Sequence, residues 1–196
     1  MIRFAITDRA LFPGNDAERY AAIVRQARAL SRAGVDFLQV REKDLGAMQL
    51  AALARIMVAA ARSAGQMKVL VNGNVAAAVD GGGDGVHLPA AMAATEVPAD
   101  MLASVSCHTL DEVRAAVERR ADLILFGPVF GKQVRDVPVS AGLGLDALRA
   151  AVAIAGEVPV IALGGVTEAN QQACIDAGAS GIAGIRMFLH AASKEA

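Results

Sequence analysis

The sequence is poor in cysteine, nearly balanced in charge and without an apolar run long enough to cross a membrane. Its two cysteines, Cys107 and Cys174, are far apart and belong to no disulfide or metal-binding pattern, so we expect both to be small core residues. The 19 basic and 20 acidic residues give a formal net charge of -1. Such a balance leaves no general electrostatic field for nucleic acid or an anionic membrane, and we expect neither as a partner.

The longest apolar stretch, residues 150–166, is interrupted by Glu157 and also contains Pro159. It falls short of the roughly 20 apolar residues that a membrane-spanning helix requires. The first residues lack the charged-then-apolar order of a secretory signal, so we expect a cytoplasmic protein. With 55% hydrophobic and 20% charged residues, the composition is typical of one globular domain over residues 1–196 whose strands are buried on both faces.

Short β-branched runs alternate with alanine-rich segments of helical length, a pattern typical of parallel strands joined by helices. The predicted strands are 3–7, 36–40, 69–72, 85–88, 103–106, 123–126, 158–163 and 181–185. The predicted helices are 16–33, 45–64, 110–120, 145–155 and 168–177, with shorter helices near Val75 and Pro98.

A repeated signature precedes every second strand. A small residue or glycine ends a helix and Asp or Ser opens the strand at 33–36, 82–84, 120–122 and 177–180. Four such double units predict a single (β/α)8 TIM barrel of class α/β, and an open doubly wound sheet is the alternative.

The second strand should place two cations at the mouth of this barrel, where such folds carry their sites. Alternation sends Gln39, Arg41 and Lys43 to the same side, and two cations beside an amide are suited to an anion. The alternative is an ion-pair cluster with Glu42 and Asp44.

Three further polar residues lie at or near the ends of the next strands. Asn72 either binds a ligand or caps the following helix. His87 is expected to be a core or rim histidine rather than a catalyst. His108 is the best acid–base candidate, because an imidazole pKa of about 6.5 allows proton exchange at neutral pH. Its alternative role is loop packing beside Thr109, the cap of the next helix.

Glycine-rich loops after the last two barrel strands predict a phosphate site. Gly164, Gly165 and Gly184 let backbone N–H groups approach an oxyanion, and Arg186 could add positive charge. The segment 131–141 is either a mobile cover or a plain surface loop. A barrel that holds a small phosphorylated anion favours isomerase or transferase chemistry, since no dinucleotide or metal motif is present.

Six segments resemble the thiamine phosphate synthase and TenI superfamily over nearly the whole chain. They are AITDR (5–9), QVREK (39–43), DGVHL (84–88), SCHT (106–109), FGPVF (126–130) and IALGGV (161–166). The resemblance implies a (β/α)8 barrel. Its synthases carry an Asn-Asp pair after the third strand and a Gly-Gln-Asp element after the fourth, whose carboxylates hold magnesium. Here those positions read Asn72-Gly73 and 89–91 (PAA), so both carboxylates are missing.

These variants resemble the TenI branch, whose members aromatise a thiazole carboxylate phosphate. The resemblance assigns proton transfer to His108, phosphate binding to the backbone around Gly142, Gly165 and Gly184, and the carboxylate to Arg41 or Lys43. We therefore predict a thiazole tautomerase-like isomerase that needs no metal or cofactor and acts on a small phosphorylated thiazole. The alternatives are a thiamine phosphate synthase, which would use Mg²⁺, and a non-catalytic phosphate-binding member. Small barrels often pair, so a homodimer is an option.

Overall fold

Eight parallel strands close into a barrel in the computed structural model, which describes residues 1–134 and 137–189, with the backbone alone for 132–134 and 137–140. The barrel strands are β1 (Ile2–Ile6), β2 (Phe37–Val40), β3 (Lys68–Asn72), β4 (Gly85–Leu88), β5 (Leu102–Cys107), β6 (Leu123–Phe126), β9 (Val160–Leu163) and β10 (Gly181–Gly184). They close in the order β1-β10-β9-β6-β5-β4-β3-β2. The predicted TIM barrel is confirmed, and the open sheet is excluded.

Helices follow most of the strands and cover the barrel. They are α1 (Asp16–Arg32), α2 (Ala47–Arg62), α3 (Val75–Asp80), α4 (Leu110–Glu118), α5 (Gly144–Ala155) and α6 (Gln171–Asp176), with 3-10 turns at Arg9–Leu11 and Ala90–Met92. Among the described residues, no helix is both long and apolar enough to span a bilayer.

Three expectations about local structure are wrong. No helix forms near Pro98, because proline disfavours a helical residue before it, and the alanine run 90–94 makes only one 3-10 turn. The last helix begins at Gln171 rather than Glu168, since Asn170 Oδ1 accepts from the Thr167 N–H at 2.7 Å and holds a turn there. The segment 131–141, expected to be a loop, contains an antiparallel hairpin of β7 (Lys132–Val134) and β8 (Val137–Ser140).

The barrel interior is apolar on one side and polar on the other. An apolar cluster fills the side formed by β1, β6, β9 and β10, with members Phe4, Ile6, Leu123, Leu125, Ile161 and Ala183. Residues that pair across neighbouring parallel strands share a face, so the registers place polar residues on the other side. These are Gln39, Asn72, His87, Ser104 and Ser106. Polar groups inside a barrel require hydrogen-bond partners, and how each is satisfied identifies the groups left for a ligand.

Candidate functional site

The end of β2 separates its acidic and basic side chains. Glu42 is buried and accepts from Thr7 Oγ1 at 2.6 Å and from Arg9 Nη1 at 3.1 Å. Arg9 also donates two hydrogen bonds to Asp44, from Nη1 to Oδ1 at 2.7 Å and from Nη2 to Oδ2 at 2.5 Å. The neighbouring carboxylate raises the pKa of the Arg9 guanidinium, and Arg9 in turn lowers the pKa of Asp44. An ion-pair cluster therefore exists, but its cation is Arg9 rather than Arg41 or Lys43.

Arg41 and Lys43 have no acidic partner in the part of the chain that the structure describes. In the described ranges, neither forms a salt bridge with a carboxylate, because Glu42 and Asp44 are already taken by Arg9. The backbone N–H of Arg41 donates to Thr7 Oγ1 at 2.9 Å, which fixes the chain where β2 ends. Arg41 is half-buried and Lys43 is exposed. Two positive charges are thus left at the mouth of the barrel.

Gln39 and Asn72 form a pair inside the barrel mouth. Gln39 Nε2 donates to Asn72 Oδ1 at 2.8 Å. Gln39 is 1% exposed, and its Oε1 is buried without a hydrogen-bond partner among the described residues. A buried acceptor of this kind is costly unless a ligand group donates to it. The capping role considered for Asn72 is wrong, since Asn74 caps α3 by accepting from the Ala77 N–H at 2.8 Å.

His87 is a buried neutral histidine, as expected for a core or rim residue. Nδ1 lies 3.0 Å from Ser104 Oγ, and Nε2 lies 2.8 Å from Ser106 Oγ. Burial, with a smaller contribution from the charge of Arg41, lowers the pKa of His87 from 6.5 to about 4. The positive charge of Arg41 therefore disfavours the protonated form of His87 inside the barrel.

Acid should destabilise the fold through His87. Its pKa is lower in the folded than in the unfolded chain, so the unfolded state binds more protons between about pH 4 and 6.5. The free energy of unfolding should therefore fall by about 2 to 3 kcal/mol as the pH drops through this window. Urea unfolding of the native protein and of His87→Gln at both pH values measures this. Equal pH dependence in the two proteins would rule out His87 as its source.

His108 stands at the end of β5 with its ring oriented by the next loop. Its Nδ1 lies 2.5 Å from the Gly127 carbonyl oxygen. A carbonyl only accepts, so Nδ1 carries the proton and Nε2 of the neutral ring is the nitrogen left for other contacts. Thr109 caps α4 as expected, by accepting from the Glu112 N–H at 3.2 Å. The preceding Cys107 is buried, which raises the pKa of its thiol to about 12 and makes it a poor nucleophile.

Four of the five predicted phosphate residues border an open cavity of about 890 Å³ beside the ends of β9 and β10. Gly164, Gly165, Gly184 and Arg186 line it, with Asp8 and Leu11 also lining it. Within the described residues, the backbone N–H groups of Gly165 and Val166 have no protein acceptor. Two adjacent unused donors beside an exposed arginine form a surface suited to an oxyanion.

Two of these glycines are required by geometry. Gly164 and Gly165 have φ values of +92° and +65°, which L side chains rarely adopt. A Cβ on Gly165 would lie 2.7 Å from Phe130 Cβ. Gly142 does not line the cavity, and its lack of a side chain allows close packing instead, since a Cβ there would lie 2.3 Å from the Val129 carbonyl oxygen.

The structure therefore presents two groups of predicted residues at the C-terminal end of the barrel. One is the polar group of β2 and β3, with Gln39, Arg41, Lys43 and Asn72, and the other is the glycine-lined cavity after β9 and β10. Sequence reasoning assigned no role to Thr7, Arg9, Ser104 or Ser106. The segment AITDR (5–9) contributes to the family resemblance, but nothing in a single sequence shows that the Arg9 side chain crosses to the end of β2.

Known proteins resemble this chain over most of its length. A family profile described as thiamine monophosphate synthase matches residues 4–188. A protein of Geobacter sulfurreducens, provisionally named a thiamine-phosphate synthase, is 40% identical over 188 residues, covering 92% of this chain and 83% of that protein. The thiamine-phosphate synthase of Anaeromyxobacter dehalogenans is 38% identical over 178 residues, covering 88% of this chain and 78% of its own.

A solved structure shares the fold. The thiamine phosphate pyrophosphorylase of Pyrococcus furiosus superposes with a TM-score of 0.76 at 24% identity and covers 99% of this chain and 96% of its own.

The predicted tautomerase activity is wrong in the light of these relatives. Proteins 38% to 40% identical to this chain are named for the synthase, which favours the transferase alternative over the isomerase. The tautomerase prediction depended on Gly73 and Ala91, at positions where the resemblance implies carboxylates. Carboxylates that hold a metal do not by themselves determine the class of reaction.

Proposed function

Since the chain belongs to the thiamine monophosphate synthase family, we propose that it is a transferase that joins a pyrimidine, carried as its diphosphate ester, to a phosphorylated thiazole. Inorganic diphosphate is the second product. The observation that carries this proposal is the name shared by relatives up to 40% identical over most of the chain. The two anion-binding surfaces support it, because this reaction needs a place for a diphosphate and another for a monophosphate.

The bond changes of the proposed reaction balance without a proton carrier. The bond between the pyrimidine methylene carbon and the diphosphate oxygen breaks, and its electron pair leaves with the diphosphate. The lone pair of the thiazole nitrogen forms the new C–N bond. Neither step moves a hydrogen, so His108 binds a substrate rather than transferring a proton. Its Nε2 is the ring nitrogen available for this contact, because Nδ1 is bonded to the Gly127 carbonyl oxygen.

The residues divide between the two substrates by their charge and hydrogen-bonding capacity. Arg41 and Lys43, which have no carboxylate partner within the described ranges, stabilise the negative charge that grows on the departing diphosphate. The free Oε1 of Gln39 accepts a hydrogen bond from the pyrimidine. The N–H groups of Gly165 and Val166, together with Arg186, hold the thiazole phosphate in the cavity.

The magnesium expected of a synthase does not fit the residues present. The carboxylate positions after β3 and β4 are occupied by Gly73 and Ala91. A Cβ on Gly73 would face Met92 Sδ at 3.7 Å and Pro89 Cδ at 3.9 Å, which are weak or apolar groups for a hard cation. The described residues contain no cluster of three His, Cys, Asp or Glu side chains able to hold a metal.

The transferase proposal is tested by supplying both substrates and measuring the joined product by mass spectrometry. We expect product only when both substrates are present, with initial rates that saturate in each. If the protein binds both compounds but forms no product, the transferase proposal fails and the non-catalytic binding alternative takes its place.

Gly165→Ala should impair use of the thiazole phosphate. The new Cβ strains a backbone at φ +65° and lies 2.7 Å from Phe130 Cβ, so the adjacent N–H donors move. We expect at least a tenfold rise in KM for the thiazole phosphate, which corresponds to about 1.4 kcal/mol. The matched control is Gly34→Ala. Gly34 has a similar φ of +71°, with nothing within 4 Å of a new Cβ, and it lies between α1 and β2, away from the cavity. An equal KM in both variants would contradict the assigned phosphate site.

A further inference from the structure

The ends of β3 and β4 have lost the negative charge that a divalent cation requires. Besides Gly73 and Ala91, the polar groups there are uncharged: Asn72 Oδ1 already accepts from Gln39, and His87 is neutral and bonded to two serine hydroxyls. Mg²⁺ is normally bound through one or two protein carboxylates in addition to substrate oxygens. This part of the mouth therefore offers magnesium only neutral ligands.

The acidic residues that follow β2, Glu42 and Asp44, cannot supply this missing negative charge. The side chain of Glu42 is 3% exposed and is bonded to Thr7 Oγ1, to the Arg9 backbone N–H and to the Arg9 guanidinium. Asp44 forms the two-bond contact with the same guanidinium. Releasing either carboxylate for a metal would remove one of the two close acidic partners of the buried Arg9 guanidinium. The network consequently keeps both carboxylates bound to Arg9.

Because Arg9 binds Glu42 and Asp44, the positive charges of Arg41 and Lys43 remain available at the end of the barrel where a metal ion would otherwise supply positive charge. Thr7 Oγ1 accepts from the Arg41 N–H and donates to Glu42, so one hydroxyl ties the backbone of the cation to the buried carboxylate. Glu42 and Asp44 are both bound to Arg9, and nothing acidic in the described residues pairs with Arg41 or Lys43. The Arg41 charge also contributes, after burial, to the lowered pKa of His87, whose ring is bonded to two serines inside the barrel.

We propose that this barrel holds diphosphate through Arg41 and Lys43 without a divalent cation bound to protein carboxylates. The inference rests on the proposed function for the identity of the ligand, and it specifies how the charge of that ligand is neutralised. Thr7, Arg9 and Glu42 are positioning residues, since they keep the two cations unpaired without touching the diphosphate.

The test is equilibrium dialysis with radiolabelled inorganic diphosphate, in buffer with EDTA and in buffer with excess Mg²⁺. We expect binding in EDTA with a Kd within about threefold of the value in magnesium. Arg41→Gln and Lys43→Gln should each weaken binding in EDTA by about tenfold, whereas Arg41→Lys should retain most of it. The matched controls, Arg62→Gln and Lys68→Gln, remove cations paired with Asp84 at the opposite end of the barrel and should leave the Kd unchanged.

A variant with restored carboxylates, Gly73→Asp/Ala91→Asp, supplies the contrasting case. Magnesium should tighten diphosphate binding by this variant at least tenfold, because the two carboxylates repel the free anion but attract its magnesium complex. A native protein that binds diphosphate only with magnesium, or that gains as much from magnesium as the variant, overturns the inference. Absence of binding in both buffers overturns it as well.

The outcome is separable from that of the transferase assay. Binding in EDTA without formation of joined product would leave this inference standing and remove the proposed function. Joined product formed together with strictly magnesium-dependent diphosphate binding would do the reverse.

Discussion

The transfer rate should fall by about 10³-fold when Arg41 and Lys43 are both replaced by glutamine, because the negative charge on the leaving diphosphate is greatest in the transition state. Glutamine keeps a polar amide that can still donate hydrogen bonds, but it is shorter than either residue and removes the charge. The loss should therefore appear mainly in kcat, with a smaller change in KM for the pyrimidine diphosphate. Steady-state kinetics with thiazole phosphate at saturation separate the two parameters.

The matched control for this pair is Arg62→Gln/Lys68→Gln. It removes the same two charges from the end of the barrel where β3 begins, so the net charge of the protein changes equally. We expect native kcat in the control. If the two double variants lose activity to the same extent, the effect comes from overall charge rather than from cations at the mouth, and the assignment of Arg41 and Lys43 is wrong.

Arg9→Met should destabilise the fold by about 3 to 5 kcal/mol, since it leaves Glu42 as a buried carboxylate without its cation. Arg9 is 6% exposed, and its guanidinium also lies over the Tyr20 ring at 5.0 Å from the centroid. Methionine keeps much of the apolar contact with that ring while removing the charge and the bonds. Urea unfolding at pH 7 measures the loss.

The double variant Arg9→Met/Glu42→Gln distinguishes charge from packing. Glutamine can still accept from Thr7 Oγ1, so removing the unpaired charge should recover at least about half of the lost free energy of unfolding. The double variant should also keep its diphosphate affinity better than Arg9→Met alone, because Asp44 loses its cation in both variants but only Arg9→Met also leaves the unpaired negative charge of Glu42 next to Arg41 in the chain. A double variant no more stable than Arg9→Met would show that the Arg9–Glu42 charge pair is not what holds this corner.

The barrel itself was predictable because its signals are local and repeated. Each strand is a short β-branched run, and the helix ends before Asp36 and Ser180 use the same small-residue closure, so errors at one boundary did not spread to the next. The hairpin at Lys132–Ser140 was missed for the opposite reason. Its two described strands pair with each other and lie outside the barrel sheet, and Pro138 with neighbouring polar residues is typical of a loop.

The site was predictable only where a residue's direction follows from its position in a strand. Alternation correctly placed Gln39 in the barrel, and it put Arg41 on the same side, but it could not reveal that Arg9 from the β1 end binds both Glu42 and Asp44. Likewise, the sequence left open whether Asn72 caps the following helix. The structure assigns that cap to Asn74, because β3 ends at Asn72 with its side chain bonded to Gln39 inside the barrel.

The reaction class was inferred from the wrong property. Gly73 and Ala91 occupy positions where the resemblance implies metal-binding carboxylates. This difference was extended to a change of chemistry, although two cations freed by the Arg9 network offer another way to neutralise a diphosphate. Charge compensation between distant segments of the chain is a three-dimensional property, and the motif comparison could not show it.

The central claim, that this barrel joins two substrates with loss of diphosphate, is tested most directly by the stoichiometry of a single quenched time course. With both substrates present, joined product and inorganic diphosphate should appear in a one-to-one ratio from the first time point, and omission of the thiazole phosphate should stop both. Diphosphate released without joined product, or neither product above the level in buffer, would contradict the account.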